Sequence, residues 1–111
     1  MKIKQFDIYS ANLSPAKGTE PGKTRPVVVI QTNLLNDNHS STIICPITTN
    51  INLEIDLLRV HLSAMETEIV SDILVDQIRA IDNRRLLKKI GSLTKSQQAK
   101  LRENLKVVLD L

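Results

Sequence analysis

Aromatic side chains are nearly missing from this sequence. Trp is absent, and Phe6 and Tyr9 are the only aromatics among 111 residues. That argues against RNA binding carried mainly by stacking bases on aromatic faces. Cysteine is nearly missing as well. Cys45 stands alone, which excludes an intramolecular disulfide framework and any zinc site built on paired cysteines. No apolar run approaches the roughly 20 residues needed to span a bilayer. The opening residues Met1 to Phe6 lack the apolar stretch of a signal peptide, so the expected compartment is the cytoplasm. No repeat, low-complexity tract or linker divides the chain. Its length fits a single domain over residues 1–111. A chain of this size buries about two-thirds of its unfolded surface. A hydrophobic fraction of 41% excludes a disordered tail. Lys plus Arg is 15 and Asp plus Glu is 12, a formal charge of +3.

Several short β-type runs occupy residues 1–80. Phe6 to Ala11 alternates as a half-buried strand does. A loop from Ala16 to Thr24 gathers Gly18, Pro21 and Gly22 and reads as an irregular connection. Pro26 to Ile30 is apolar without alternation, which predicts a strand buried on both faces with Pro26 as its first residue. Thr32 to Asn38 fits one helical turn around Leu34 and Leu35. Thr42 to Ile47 is a third strand, and Pro46 near its end predicts an edge or a bulge. Residues 50–62 alternate loosely and fit two short strands or one bent strand. Ile69 to Val75, then Asp76 to Ile81, read as strand, polar step, strand. Asp82 caps a turn over Asn83 to Arg85. Lys88 to Leu93 fits either a helix end at Gly91 or a short strand. Thr94 and Gln97 form a capping-box pattern. Leu101, Leu105, Val108 and Leu109 then recur at helical spacing, with Lys95, Lys100, Arg102 and Lys106 on the other face. A helix of roughly 14 residues is expected to lie across the sheet.

Three stretches offer chemistry. Lys17, Glu20, Lys23 and Arg25 crowd the glycine-containing loop at the mouth of a buried strand. Arg25 has a fork of donors that fits two oxygens of one phosphate, although a solvated arginine paired to a carboxylate is the commoner use. Thr48, Thr49 and Asn50 end the third strand. The two threonine hydroxyls suit a phosphate oxygen, or, with the Asn50 amide, ordinary turn chemistry with the local backbone. Asp76 and Gln77 interrupt two apolar runs; the Gln77 amide suits a base edge. Arg79 and Asp82 suit a structural ion pair. His39 and His61 have no carboxylate or thiol cluster at ligand spacing, so no metal site is expected. Cys45 reads as a small core residue.

Read in order, these residues resemble a family. Asp7-Ile8-Tyr9, Leu13-Ser14-Pro15, Gly18-Thr-Glu-Pro-Gly-Lys-Thr-Arg-Pro-Val-Val-Val-Ile30, Ile47-Thr48, Asp76 to Asp82 and Ile90 to Leu93 together resemble the MazF/PemK-like toxins of type II toxin–antitoxin systems. The likeness runs from about Lys4 to the C-terminus and is weakest over residues 50–68. It implies a mainly β (α+β) fold, a small twisted SH3-like or plasmid-maintenance-toxin barrel with a C-terminal α-helix. It implies a sequence-specific endoribonuclease (mRNA interferase) that cuts single-stranded RNA by attack of the 2′-hydroxyl. The products would be a 2′,3′-cyclic phosphate and a free 5′-hydroxyl. It implies a homodimer, no metal or other cofactor, and neutralisation by a cognate acidic antitoxin. The motif positions assign Arg25, Thr48 and Glu20 to catalysis. Thr19, Lys23, Thr49, Asp76 and Gln77 are assigned to RNA binding. Two other readings stay open at this point: a same-fold toxin that grips a protein target such as DNA gyrase, and a noncatalytic RNA-binding module. The Arg25 and Thr48 match argues against the gyrase reading.

Overall fold

The structure, a computed structural model, describes residues 2–14, 18, 23–63 and 69–111. Among the described residues, seven strands make one antiparallel sheet: β1 (Asp7–Asn12), β2 (Thr24–Val29), β3 (Ser41–Thr48), β4 (Arg59–Leu62), β5 (Ser71–Leu74), β6 (Arg79–Asp82) and β7 (Leu86–Ser92). They run in the order β4-β5-β3-β2-β1-β7, and β6 pairs with β3 outside this path. One helix, α1 (Lys95–Leu109), closes the fold. This is the mainly β architecture with a C-terminal helix that the resemblance implied. Among the described residues, no helix is long and apolar enough to cross a membrane.

The unalternating valine run explains how the sheet is covered. Successive strand residues face opposite sides. Val28 enters a cluster with Ile8, Cys45, Ile73 and Leu101 of the helix. Val27 and Val29 enter a second cluster with Tyr9, Ala11, Ile44 and Ile81. All three valines are fully buried, so β2 lies between two apolar layers, as its pattern predicts.

Four local expectations need correction. Phe6 does not begin the first strand. It takes φ 71, a left-handed conformation uncommon for a bulky residue. Three contacts hold it there: its N–H donates to Val29 at 2.7 Å, its carbonyl accepts from Leu93 at 3.0 Å, and the Arg102 guanidinium lies 4.8 Å from its ring centre. Pro26 is the third residue of β2, not the first. It stands opposite Ser10 on β1 but precedes the first rung to β3 at Val27–Pro46, where its missing N–H is tolerated. Pro46 marks neither an edge nor a bulge in the β2 ladder. The β6 ladder ends at Ile44 and the β5 ladder starts at Ile47, so the proline falls in the gap where β3 changes neighbours. Finally, Asp82 pairs with Arg84 at 3.0 Å, not with Arg79. The Arg84 side chain and backbone donate to that carboxyl and hold it down at about 2.

Two open readings are resolved. Residues 86–92 are a strand, bonded to β1 with two register irregularities. In residues 50–62 only β4 is regular; Leu53 and Leu57 are exposed, so the alternation there does not reflect burial. The helix starts as expected, with both arms of the Thr94–Gln97 capping box formed. Leu101 is fully buried, whereas Leu109 is half exposed. Asn104 is a buried polar exception. Its amide donates to the carbonyls of Asp56 at 2.9 Å and Arg59 at 3.2 Å, tying the helix to the start of β4 and the segment before it.

Candidate active site

Strand register sets the site. Val27 stands opposite Pro46 in the antiparallel pair of β2 and β3. Two residues further out on each strand, that register places Arg25 across from Thr48. Residues two apart share a face. β5 then runs on the other side of β3, with Asp72 opposite Thr48. A turn after β5, closed by Gln77 N–H to the Leu74 carbonyl at 3.2 Å, presents Asp76 and Gln77. The four side chains Arg25, Thr48, Asp76 and Gln77 line one pocket of about 330 Å³. Ile55, Leu58 and Leu74 supply its apolar wall.

Thr48 is locally fixed. Its Oγ1 accepts the Asn50 N–H at 3.1 Å. This is the turn chemistry foreseen for Thr and Asn, and it fits a binding role too. A hydroxyl that accepts from the backbone keeps its hydrogen for donation into the pocket.

The other sequence candidates divide. Glu20 and Thr19, with Lys17, lie outside the described residues. Lys23 is exposed at φ 64 and closes the loop's base: its N–H donates to Ser14 Oγ at 2.9 Å and its carbonyl accepts from Leu13. Thr49 is exposed, and its carbonyl accepts the Ile51 N–H at 3.0 Å. Neither Lys23 nor Thr49 lines the pocket. Cys45 is buried, and burial, helped by the Asp76 charge, pushes its thiol up to about 12, which suits an inert core residue. Among the described residues no His, Cys, Asp and Glu side chains cluster at metal-binding range.

The sequence reading missed the polar frame beneath the pocket. Asp72, whose side chain has no exposure, receives Arg59 Nη1 at 3.0 Å, the Asn52 N–H at 2.9 Å and His61 Nδ1 at 2.6 Å. Burial alone raises its carboxyl pKa. The bonds from Asn52, His61 and Arg59 outweigh that and leave it below the ordinary aspartate range. Arg59 and Asn50 also line the pocket. Two signals were present: a carboxylate inside the apolar run Ile69 to Val75, and Arg59 and His61 two apart on one strand face.

With this geometry established, comparison with known proteins is decisive. Residues 4–109 match the model of the PemK-like, MazF-like toxins of type II toxin–antitoxin systems. The chain belongs to this family. A Bacillus subtilis (strain 168) member named endoribonuclease EndoA is 38% identical over 118 residues, covering 100% of this chain and 97% of its own. A Staphylococcus epidermidis member named endoribonuclease MazF is 34% identical over 111 residues, covering 98% and 92%. Among solved structures, Deinococcus radiodurans MazF superposes with a TM-score of 0.86 at 22% identity, covering 100% of this chain and 99% of that one. In a MazE–MazF crystal from the same organism the match is 0.82 at 22% identity, covering 100% and 98%. These two likenesses concern the family's fold.

Proposed function

We propose that this chain is a sequence-specific endoribonuclease that cuts single-stranded RNA by internal attack of a 2′-hydroxyl. The observation that carries this reading is the convergence of Arg25 and Thr48 in one pocket. The names of the B. subtilis and S. epidermidis relatives point the same way.

The RNA brings its own nucleophile. The 2′-oxygen loses its proton and bonds to the adjacent phosphorus, the bond to the 5′-oxygen breaks, and that oxygen takes up a proton from solvent, giving a 2′,3′-cyclic phosphate and a 5′-hydroxyl. The protein has to orient this attack and offset charge growing on the phosphate oxygens. Arg25 supplies a two-pronged donor. Thr48, held by its bond from Asn50, adds a hydroxyl donor to the same phosphate. A guanidinium is a donor only, so the 2′-proton needs another acceptor. Glu20 is the carboxylate of the loop motif and takes that role in this proposal. Asp76 and Gln77, which line the same pocket, read splayed bases; Thr19, Lys23 and Thr49 extend the RNA-contacting surface.

The working unit is a homodimer in the cytoplasm. An apolar groove of about 430 Å³ beside the helix C-terminus is lined by Leu35, Ile43, Ile78, Leu105, Leu109 and Leu111. Apolar patches of this kind mark association surfaces. A formal charge of +3 suits both RNA and an acidic antitoxin segment, which would silence the enzyme by covering the pocket.

The test is incubation with mixed-sequence single-stranded RNA in EDTA, alongside Arg25→Ala. Discrete fragments from the native protein and intact RNA from the variant support the reading. Intact RNA with both proteins overturns it. DNA of the same sequence, lacking the 2′-hydroxyl, should survive.

A further inference from the structure

On the ribonuclease reading above, we propose that Arg59 is a second phosphate-binding arginine of the groove and that buried Asp72 is the residue that positions it.

The topology separates the two arginines around Thr48. Arg25 is on β2, one neighbour of β3; Arg59 is on β4, reached through β5 on the other side of β3. Both line the same groove. An RNA strand with its scissile phosphate at Arg25 and Thr48 therefore carries a neighbouring phosphate toward Arg59.

The guanidinium of Arg59 is already fixed for this work. Antiparallel register sets Arg59 opposite Leu74 and His61 opposite Asp72, so Arg59 and His61 share a strand face with Asp72 beside them. Both hydrogens of Nη1 are used: one goes to Asp72 Oδ2 at 3.0 Å, the other to the Asn50 carbonyl at 2.9 Å. Among the described residues, Nη2 and Nε make no hydrogen bond. The side chain is 18% exposed. A guanidinium offers five donors in a rigid fork, so three remain for an anion. Asp72 is held in turn by Asn52 through Oδ2 and by His61 through Oδ1. A buried carboxylate with three partners cannot swing away to follow its arginine. The arginine is thereby kept in one orientation, as a binding group must be.

The test separates binding from chemistry. Arg59→Ala is assayed for kcat and KM on mixed-sequence single-stranded RNA. Its affinity for the fully 2′-deoxy strand, which cannot be cleaved, is followed by fluorescence anisotropy across a salt series. The expected result is a KM raised by about tenfold with kcat within about threefold. The slope of log affinity against log salt should fall by about 0.7, the value for one lost phosphate contact on a single strand. Asp72→Asn should raise KM in the native background and add little in the Arg59→Ala background, because it acts through Arg59. Unchanged KM and salt slope in Arg59→Ala overturn the proposal, as does an equal Asp72→Asn effect in both backgrounds. If Asp72→Asn fails to fold, the Arg59→Ala slope decides alone. If the native protein binds the 2′-deoxy strand but cuts no RNA, the ribonuclease reading falls. The slope then still reports whether Arg59 holds a phosphate.

Discussion

Two regions build the pocket by opposite means. On the β1–β3 side, side chains are placed by strand register, and the register is enforced by apolar burial on both faces of β2. On the side formed by residues 50–62, side chains are placed by polar bonds that converge on Asp72. The first kind of order is spread over many contacts and loses a little with each one removed. The second is concentrated in one carboxylate, and removing it takes a partner from Asn52, Arg59 and His61 together. Apolar burial makes the frame, and a buried charge shapes the wall.

Breaking each side gives different signatures. The largest expected effect is on chemistry: Arg25→Ala should slow cleavage by about 10²–10³, the usual size for one lost donor at a developing oxyanion. Thermal unfolding should barely move, because Arg25 stands at the mouth of β2 outside both apolar clusters. Leu101→Ala probes the frame. Its side chain is fully buried, so urea unfolding should show a loss of about 2–5 kcal/mol. A loss near zero would mean that α1 does not seal the core. Thr48→Ala should slow cleavage on the order of tenfold, the worth of one hydrogen bond to a charged group, with little change in unfolding.

Acid titration separates the two sides, because the polar side holds a buried carboxylate with a lowered pKa. Asp72 titrates lower folded than its ordinary value of 3.8. Its contribution to stability is therefore complete above that value. It is lost as pH falls through the folded pKa. Urea unfolding below pH 3.8 should weaken more steeply in the native protein than in Asp72→Asn. Parallel curves would remove Asp72 from the frame. The smallest expected effect is Arg102→Ala. Loss of the contact with Phe6 should cost about 0.5–1 kcal/mol, read as a small fall in the unfolding midpoint.

The sequence was legible where order comes from local pattern. The Val27–Val29 run announced its two buried faces, and Thr94 with Gln97 announced the helix start. Arg25 and Thr48 could be singled out by motif. Their proximity required the β2–β3 register, which no local signal states. The 50–62 segment was opaque for a physical reason. Its alternating Leu53, Ile55 and Leu57 imitate a strand, but what holds the segment are bonds to Asp72 and Asn104, distant in the chain. Phe6 was misread because its left-handed turn depends on Val29, Leu93 and Arg102, three partners that only the folded chain brings near.

The most direct test of internal attack at the Arg25–Thr48 phosphate is the chemistry of the new RNA ends. Fragments produced in EDTA are resolved by mass spectrometry. The account predicts a 2′,3′-cyclic phosphate on one fragment and a 5′-hydroxyl on the other. Fragments bearing a 5′-phosphate and a free 3′-hydroxyl would mean that water, not the 2′-oxygen, attacked, and would contradict it.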